Sequence, residues 1–251
     1  MSLESLALAA LRVVFLRVRL GLLSSDPNTW WALYQQHGRG DSGVIWPPDV
    51  WRWYDSKFDL HGIQELHFSC DPNVKASGKS FGTFEVSGVI DTFGDFGVNY
   101  FRLDEARGHW DYPDMRAEAK RIILKWRREL PGAFEHPKSK IWIENKANGP
   151  ALHADLRNTY PELAHMIELV PKMASKESCY RTAAPIAKEQ RVWLPLESFG
   201  PVTADWAKGK GGFVDECEAQ QPVHEPNDRP DAHAQMIICR EPGLGPDMLR
   251  L

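Results

Sequence analysis

The spacing of apolar and polar residues predicts strands in the middle of the chain. Residues Ile63–Cys70 alternate with a period of two and end at Asp71-Pro72-Asn73, a turn signal. Two more strands are predicted over Phe81–Ile90 and Val98–Leu103, because both segments are rich in β-branched and aromatic residues. A short Gly-containing segment separates these two strands, so the three strands are expected to form an antiparallel meander.

After residue 113 the period changes to that of helices separated by short strands. Helices are predicted over 114–130, 151–158 and 175–189 and from Pro230 onward, with strands over 140–143, 166–170 and 191–194 between them. Strands followed by alternating helices and strands indicate an α/β fold, with a mixed sheet of about five strands flanked by helices. Residues 1–62 are predicted as a helix and an irregular, aromatic-rich N-terminal arm, and 63–251 as the folded domain.

Composition and charge narrow the possible partners. The 251 residues carry a net charge of −4, so any DNA contact must come from local basic patches, such as those at 120–128 and 172–191. The four cysteines show no CxxC spacing, which favours reduced thiols over disulfides or a zinc site. The apolar run 6–23 is interrupted by arginines and is too charged to span a membrane, and the scattered cysteines indicate a cytoplasmic location.

Four acidic residues stand where secondary structure would bring them together. Asp71 follows the first predicted strand directly, Glu144 follows the strand over 140–143, and Asp228 and Asp231 are three residues apart on the last helix. Converging carboxylates repel one another, and Mg²⁺ or Mn²⁺ with oxygen ligands relieves that repulsion. Taken singly, each acid is also compatible with an ordinary turn or surface position, so the pattern alone leaves a metal site and a surface role open.

Six pieces of the sequence, in this order, resemble the nuclease domain of phage terminase large subunits. They are His67–Asp71, Gly97–Leu103 with Glu105–Pro113, Ile141–Gly149, Lys176 with Arg181, Arg191–Pro195, and Asn227–Ala232. The resemblance covers roughly 63–240 and implies an RNase H-like fold, shared with Holliday-junction resolvases. It also implies a two-metal-ion DNA endonuclease using two Mg²⁺ or Mn²⁺ ions.

The resemblance assigns roles to residues that match the family motifs. Asp71 matches the first metal-binding acid and Glu144 the second, while Asp228 and Asp231 lie on the closing motif. Asn227 stands where the family commonly has a further acid. Lys176 and Arg181 resemble basic positions and are expected to contact the DNA backbone. The implied partners are double-stranded DNA, a terminase ATPase part, a small subunit and a portal, in a bacterial host cell and without a membrane.

Two departures from the family pattern, Asn227 and the absence of a phosphate loop, leave other functions open. The sequence contains no G-x-x-x-x-G-K-[ST] phosphate loop, so the ATPase motor is expected to be absent from this chain, as in a split gene product or a prophage remnant. A non-catalytic prophage module that binds DNA or supports assembly is one alternative, and a stand-alone Holliday-junction-type resolvase is another. His233 is expected at a polar surface position, and the Trp cluster of residues 30–53 is expected to anchor the arm more than to stack on bases.

Overall fold

A seven-stranded mixed sheet lies at the centre of the fold. The computed structural model describes residues 45–72, 81–92, 97–171, 175–219 and 227–241, all within a unit that runs from Ile45 to Leu251. The strands are β1 (Arg52–Tyr54), β2 (Glu65–Asp71), β3 (Gly82–Asp91), β4 (Val98–Gly108), β5 (Lys140–Glu144), β6 (Ile167–Val170) and β7 (Val192–Pro195). The helices are α1 (Tyr112–Glu129), α2 (Pro131–Phe134), α3 (Gly149–Thr159), α4 (Lys176–Lys188), α5 (Phe213–Glu218) and α6 (Asp228–Arg240).

The strand order in the sheet is β1-β7-β4-β3-β2-β5-β6. Strands β2, β3 and β4 pair antiparallel, which confirms the predicted meander. The outer strands pair parallel, with β5 beside β2, β6 beside β5, and β7 between β4 and β1. Parallel neighbours need crossover connections, and the helices between the later strands provide them.

Two apolar cores cover the two faces of the sheet. Helices α1, α2 and α3 contribute to one core, together with Leu66, Phe68 and Cys70 of β2. Helices α4, α5 and α6 contribute to the other, together with Trp142 of β5. Because side chains alternate across a strand, His67, Ser69 and Asp71 face the second side, under α6. Burial on both faces explains why every residue of β2 is buried.

The predicted α/β class is confirmed, with seven strands where about five were expected. Strand β1 and the short helices α2 and α5 were not predicted, because each is too short to show a period. The expected border between residues 62 and 63 falls inside the described unit, since β1 pairs with β7. Trp46 and Trp51 are buried against Tyr180 and Phe213, as expected for anchors, while the predicted N-terminal helix, Trp30 and Trp31 lie outside the described residues.

Candidate metal centre

Strands β2 and β5 bring Asp71 and Glu144 side by side. The two strands are parallel neighbours, and Cys70 pairs with Ile143, so the next residue of each strand is the acid. Residues 144–149 then form a tight turn in which the backbone N–H of Lys146 donates to the Glu144 carbonyl at 2.8 Å. A Cβ at Gly149 would lie 1.9 Å from that carbonyl oxygen, so only glycine fits there. The turn therefore holds Glu144 and Lys146 at the sheet edge beside Asp71.

Asp71 is a buried carboxylate whose negative charge is only partly balanced by its neighbours. Its exposed fraction is 3%, and its Oδ1 has no hydrogen-bond partner among the described residues. Burial raises the pKa of Asp71 well above its usual range, and the nearby Glu144 carboxylate raises it further. An acid in this state is poorly solvated when it is ionised, and a bound cation would relieve that energy.

Helix α6 adds the other two acids. Asp228 is its first residue, and Oδ2 of Asp228 accepts from the Phe81 backbone N–H at 3.2 Å and lies 3.5 Å from the Arg107 guanidinium. Burial raises the pKa of Asp228, although these two contacts oppose the shift. Asp231 lies almost one turn further along the helix, where the Tyr180 hydroxyl and the Lys176 ammonium contact its two oxygens.

The four predicted acids form one electrostatic cluster. The Glu144, Asp228 and Asp231 carboxylates all act on Asp71, where they raise its pKa. Lys146 lies among the same four carboxylates: partial burial opposes its charged form, but the carboxylates outweigh burial and raise the pKa of Lys146. The structure therefore brings together Asp71, Glu144, Asp228 and Asp231, from two adjacent strands and one helix.

Two lysines contact acids of the cluster. Lys146 Nζ is 3.8 Å from Glu144 Oε2, and Lys176 Nζ is 2.5 Å from Asp231 Oδ2. In the ranges that the structure covers, no three His, Cys, Asp or Glu side chains lie close enough to hold a metal ion as they stand. The donor chemistry nevertheless suits a hard divalent cation, because carboxylate oxygens are the available ligands and one of them is unpartnered within those ranges.

The two predicted DNA-contacting residues differ in position. Lys176 lies at the edge of the acid cluster with its side chain 40% exposed, where it contacts Asp231 and also donates to Asn227 Oδ1 at 2.5 Å. Arg181 lies on the exposed side of α4 and pairs with Glu177 at 3.0 Å. Lys146 was not predicted as a site residue, although its position two residues after the strand-end acid Glu144 is a signal visible in the sequence.

A buried ion-pair network lies behind the acid cluster. Arg107 contacts Asp228 and also binds Glu216 at 2.7 Å, so this network reaches the centre directly. His233 was expected on the surface, but it is 1% exposed and its Nδ1 lies 3.0 Å from Glu85 Oε1. The expectation was wrong because α6 is covered by the sheet on one side and by α4 and α5 on others. The remaining members of the network are Arg102, Glu105 and Arg229.

Helix α6 is tied to both acid-bearing strands. The Gln235 amide donates to Ser69 Oγ at 3.0 Å and to the Trp142 carbonyl at 3.4 Å. These contacts hold the helix that carries Asp228 and Asp231 against β2 and β5.

Among the helices that the structure describes, none is long and apolar enough to cross a membrane.

Comparison with known proteins identifies the fold. No protein-family model matches the chain, and no curated protein matches it. The large terminase of a thermophilic bacteriophage, in complex with ADP, is similar over 88% of this chain and 51% of that chain, at 10% identity and a TM-score of 0.51. The same terminase with ATP-gamma-S is similar over the same shares, at 11% identity and a TM-score of 0.50. This chain shares the fold of about half of that large terminase.

A nuclease structure is similar at a lower score. The large terminase nuclease from thermophilic phage G20c with bound magnesium matches 78% of this chain and 94% of that chain, at 11% identity and a TM-score of 0.46. The chain spans about half the length of the two ligand-bound large terminases it matches. The α/β class, with a mixed sheet flanked by helices, is confirmed.

Proposed function

We propose that this chain is a metal-dependent endonuclease that hydrolyses DNA phosphodiesters, as the nuclease part of a phage or prophage packaging terminase. The observation that carries the proposal is the state of Asp71, a buried carboxylate beside Glu144 with an oxygen that is unpartnered among the described residues. Structural acids at such burial normally have a cationic partner or several hydrogen bonds. A buried acid with an unpartnered oxygen, in a cluster of four carboxylates, is typical of a functional site and suits a divalent cation.

The ligands would be drawn from Asp71, Glu144, Asp228 and Asp231, and Mg²⁺ or Mn²⁺ suits these oxygen donors. A divalent cation supplies a Lewis acid that stabilises negative charge on a phosphodiester and lowers the pKa of bound water. The protein's part is to hold the donors rigidly. The Phe81 backbone N–H fixes one oxygen of Asp228, and the turn closed by Gly149 fixes Glu144.

Cationic side chains around the acids suit a polyanionic substrate. Lys146 is half-buried beside Glu144, and its raised pKa keeps it charged at neutral pH, where it can bind a phosphate oxygen. Arg181 is the proposed contact to the DNA backbone further out on α4. Double-stranded DNA is therefore the proposed substrate. A separate ATPase part, a small subunit and a portal are the proposed partners in a bacterial host cell.

Nicking of supercoiled plasmid DNA in the presence of Mn²⁺ tests the proposal. We expect Asp71→Asn to lower the nicking rate by about two orders of magnitude or more, because an amide is a poor ligand for a hard cation. The matched control is Asp91→Asn, at the opposite end of the same sheet, which should retain the wild-type rate. If wild type and Asp71→Asn nick at the same rate, the chain is better described as a non-catalytic DNA-binding or assembly module.

A further inference from the structure

We infer that the Lys176 ammonium takes the place of a second divalent ion beside Asp231, so that this centre binds one divalent cation per chain. The inference rests on the proposed function and changes the expectation of two ions that followed from the family resemblance. It concerns the half of the centre formed by α4 and the start of α6, namely Lys176, Tyr180, Asn227 and Asp231.

Both oxygens of Asp231 are already engaged. Oδ2 lies 2.5 Å from Lys176 Nζ, and Oδ1 accepts a hydrogen bond from the Tyr180 hydroxyl. Tyr180 itself is buried and packs against Trp46, with ring centroids 4.9 Å apart, so its hydroxyl is held in place. Each contact occupies one acceptor position of the carboxylate, and the Lys176 ammonium at Oδ2 also repels a second cation there.

Asn227 makes the lysine the better cation for this half of the site. Lys176 Nζ donates to Asn227 Oδ1 at 2.5 Å, and Asn227 is only 4% exposed. An amide carries no charge, so Asp231 supplies the negative charge opposite this ammonium. A single positive charge therefore balances that acid, which leaves less negative charge in this half of the centre to attract a second divalent ion.

In the other half of the centre, the nearby cation Lys146 is held less tightly. Asp71 Oδ1 has no hydrogen-bond partner in the described part of the chain, and Asp71 is buried. Lys146 Nζ stays 3.8 Å from Glu144 Oε2, a looser contact than the one made by Lys176. Lys146 also sits on a turn, whereas Lys176 is the first residue of a helix packed on α6. A divalent cation is therefore expected beside Asp71, Glu144 and Asp228.

Counting bound Mn²⁺ on the full chain without DNA tests this inference. Isothermal titration calorimetry gives the number of ions per chain, and electron paramagnetic resonance detects the coupling of two ions about 4 Å apart. We expect one uncoupled ion for wild type. Lys176→Met removes the ammonium while retaining the length of the side chain, and we expect it to bind two ions.

Two controls separate charge from structure. Lys176→Arg retains the positive charge and should still bind one ion, and Lys188→Met, at the far end of α4, should behave as wild type. Two ions on wild type would overturn the inference and leave the proposed function intact, since wild type alone decides this outcome. One ion on a Lys176→Met variant with a wild-type circular dichroism spectrum would overturn it as well. A wild-type chain that binds no Mn²⁺ would contradict the proposed function, and this inference with it.

Discussion

Strand β2 carries a buried acid at each end, and the two are treated differently by their surroundings. Glu65, at the start, is 1% exposed, and Asp71, at the end, is 3% exposed. Arg240 binds both oxygens of Glu65, at 2.6 and 2.8 Å, and His67 Nε2 lies 2.9 Å from one of them. Burial alone would raise the pKa of Glu65, but these hydrogen bonds outweigh it and lower the pKa to about 2.

Among the described residues, Asp71 has no equivalent of Arg240. One of its oxygens is unpartnered within the described ranges, and burial and the neighbouring Glu144 carboxylate raise its pKa. The difference between the two ends shows that this fold is able to neutralise a buried acid fully where it serves structure. At the Asp71 end Lys146 offsets only part of the burial and carboxylate repulsion, which suits the site to a further cation.

The largest effect should come from removing Arg240, the cationic partner of Glu65. Arg240→Met leaves the Glu65 carboxylate buried without its main partner, and we expect the free energy of unfolding at pH 7 to fall by about 3–5 kcal/mol. Urea denaturation measures it. The control is Arg121→Met, whose exposed pair with Glu118 should contribute less than about 1 kcal/mol. Equal losses in the two variants would contradict the structural role given to the Glu65 end.

Removing the charge of Asp71, at the other end of β2, should instead stabilise the folded protein. Without divalent ions at pH 7, Asp71→Asn should raise the free energy of unfolding by about 1–3 kcal/mol, the scale for relieving an unsatisfied buried group. The folded pKa of Asp71 is raised, so ionisation at neutral pH destabilises the folded state. The gain should therefore disappear as the pH falls below the ordinary pKa of aspartate, where the acid is protonated in both states.

Denaturation curves at pH 7 and about pH 3.5 check this prediction, and Asp91→Asn is again the matched control. Saturating Mn²⁺ should stabilise wild type but not Asp71→Asn, because only the folded wild type binds the ion. A stability loss in Asp71→Asn at pH 7 without metal would show that Asp71 is a structural acid like Glu65.

The smallest effect should come from removing the Gln235 amide, which ties α6 to β2 and β5. Gln235→Met retains the side-chain volume but removes the hydrogen bonds to Ser69 and to the Trp142 carbonyl. We expect a loss of about 1 kcal/mol and a lower nicking rate, because α6 is held less firmly over Asp71. The exposed Gln64→Met is the control. A stable variant with unchanged nicking would mean that the contact does not position the acids.

Much of the fold followed from local patterns in the sequence. The meander of β2, β3 and β4 was predictable because alternating residues bounded by turn signals specify strands without reference to distant partners. Helix α1 was predictable for a similar reason, since its buried residues recur at helical spacing. Strand β1 was not, because three residues show no period and their extended state depends on pairing with β7.

Some features of the candidate site were also predictable from the sequence, and others were not. Asp71 and Glu144 were predictable from sequence because each ends an apolar strand, and adjacent parallel strands align their ends. His233 was misjudged because one helical face was assumed to be exposed, whereas tertiary packing covers nearly all of α6. The sequence alone offered no way to pair Lys176 with Asp231, since 55 residues separate them and only the packing of α4 on α6 brings them together.

By itself the sequence determined which chemistry is present: four acids at element ends and an asparagine where a further acid was expected. The tertiary structure decided how those charges are matched. Local spacing controls which residue types occur at the end of a strand or helix. The energy of a buried charge depends on its neighbours within a few ångströms, and those neighbours come from distant parts of the chain. Only the fold therefore distinguishes Glu65, which is fully paired, from Asp71, which keeps an oxygen unpartnered in the described structure.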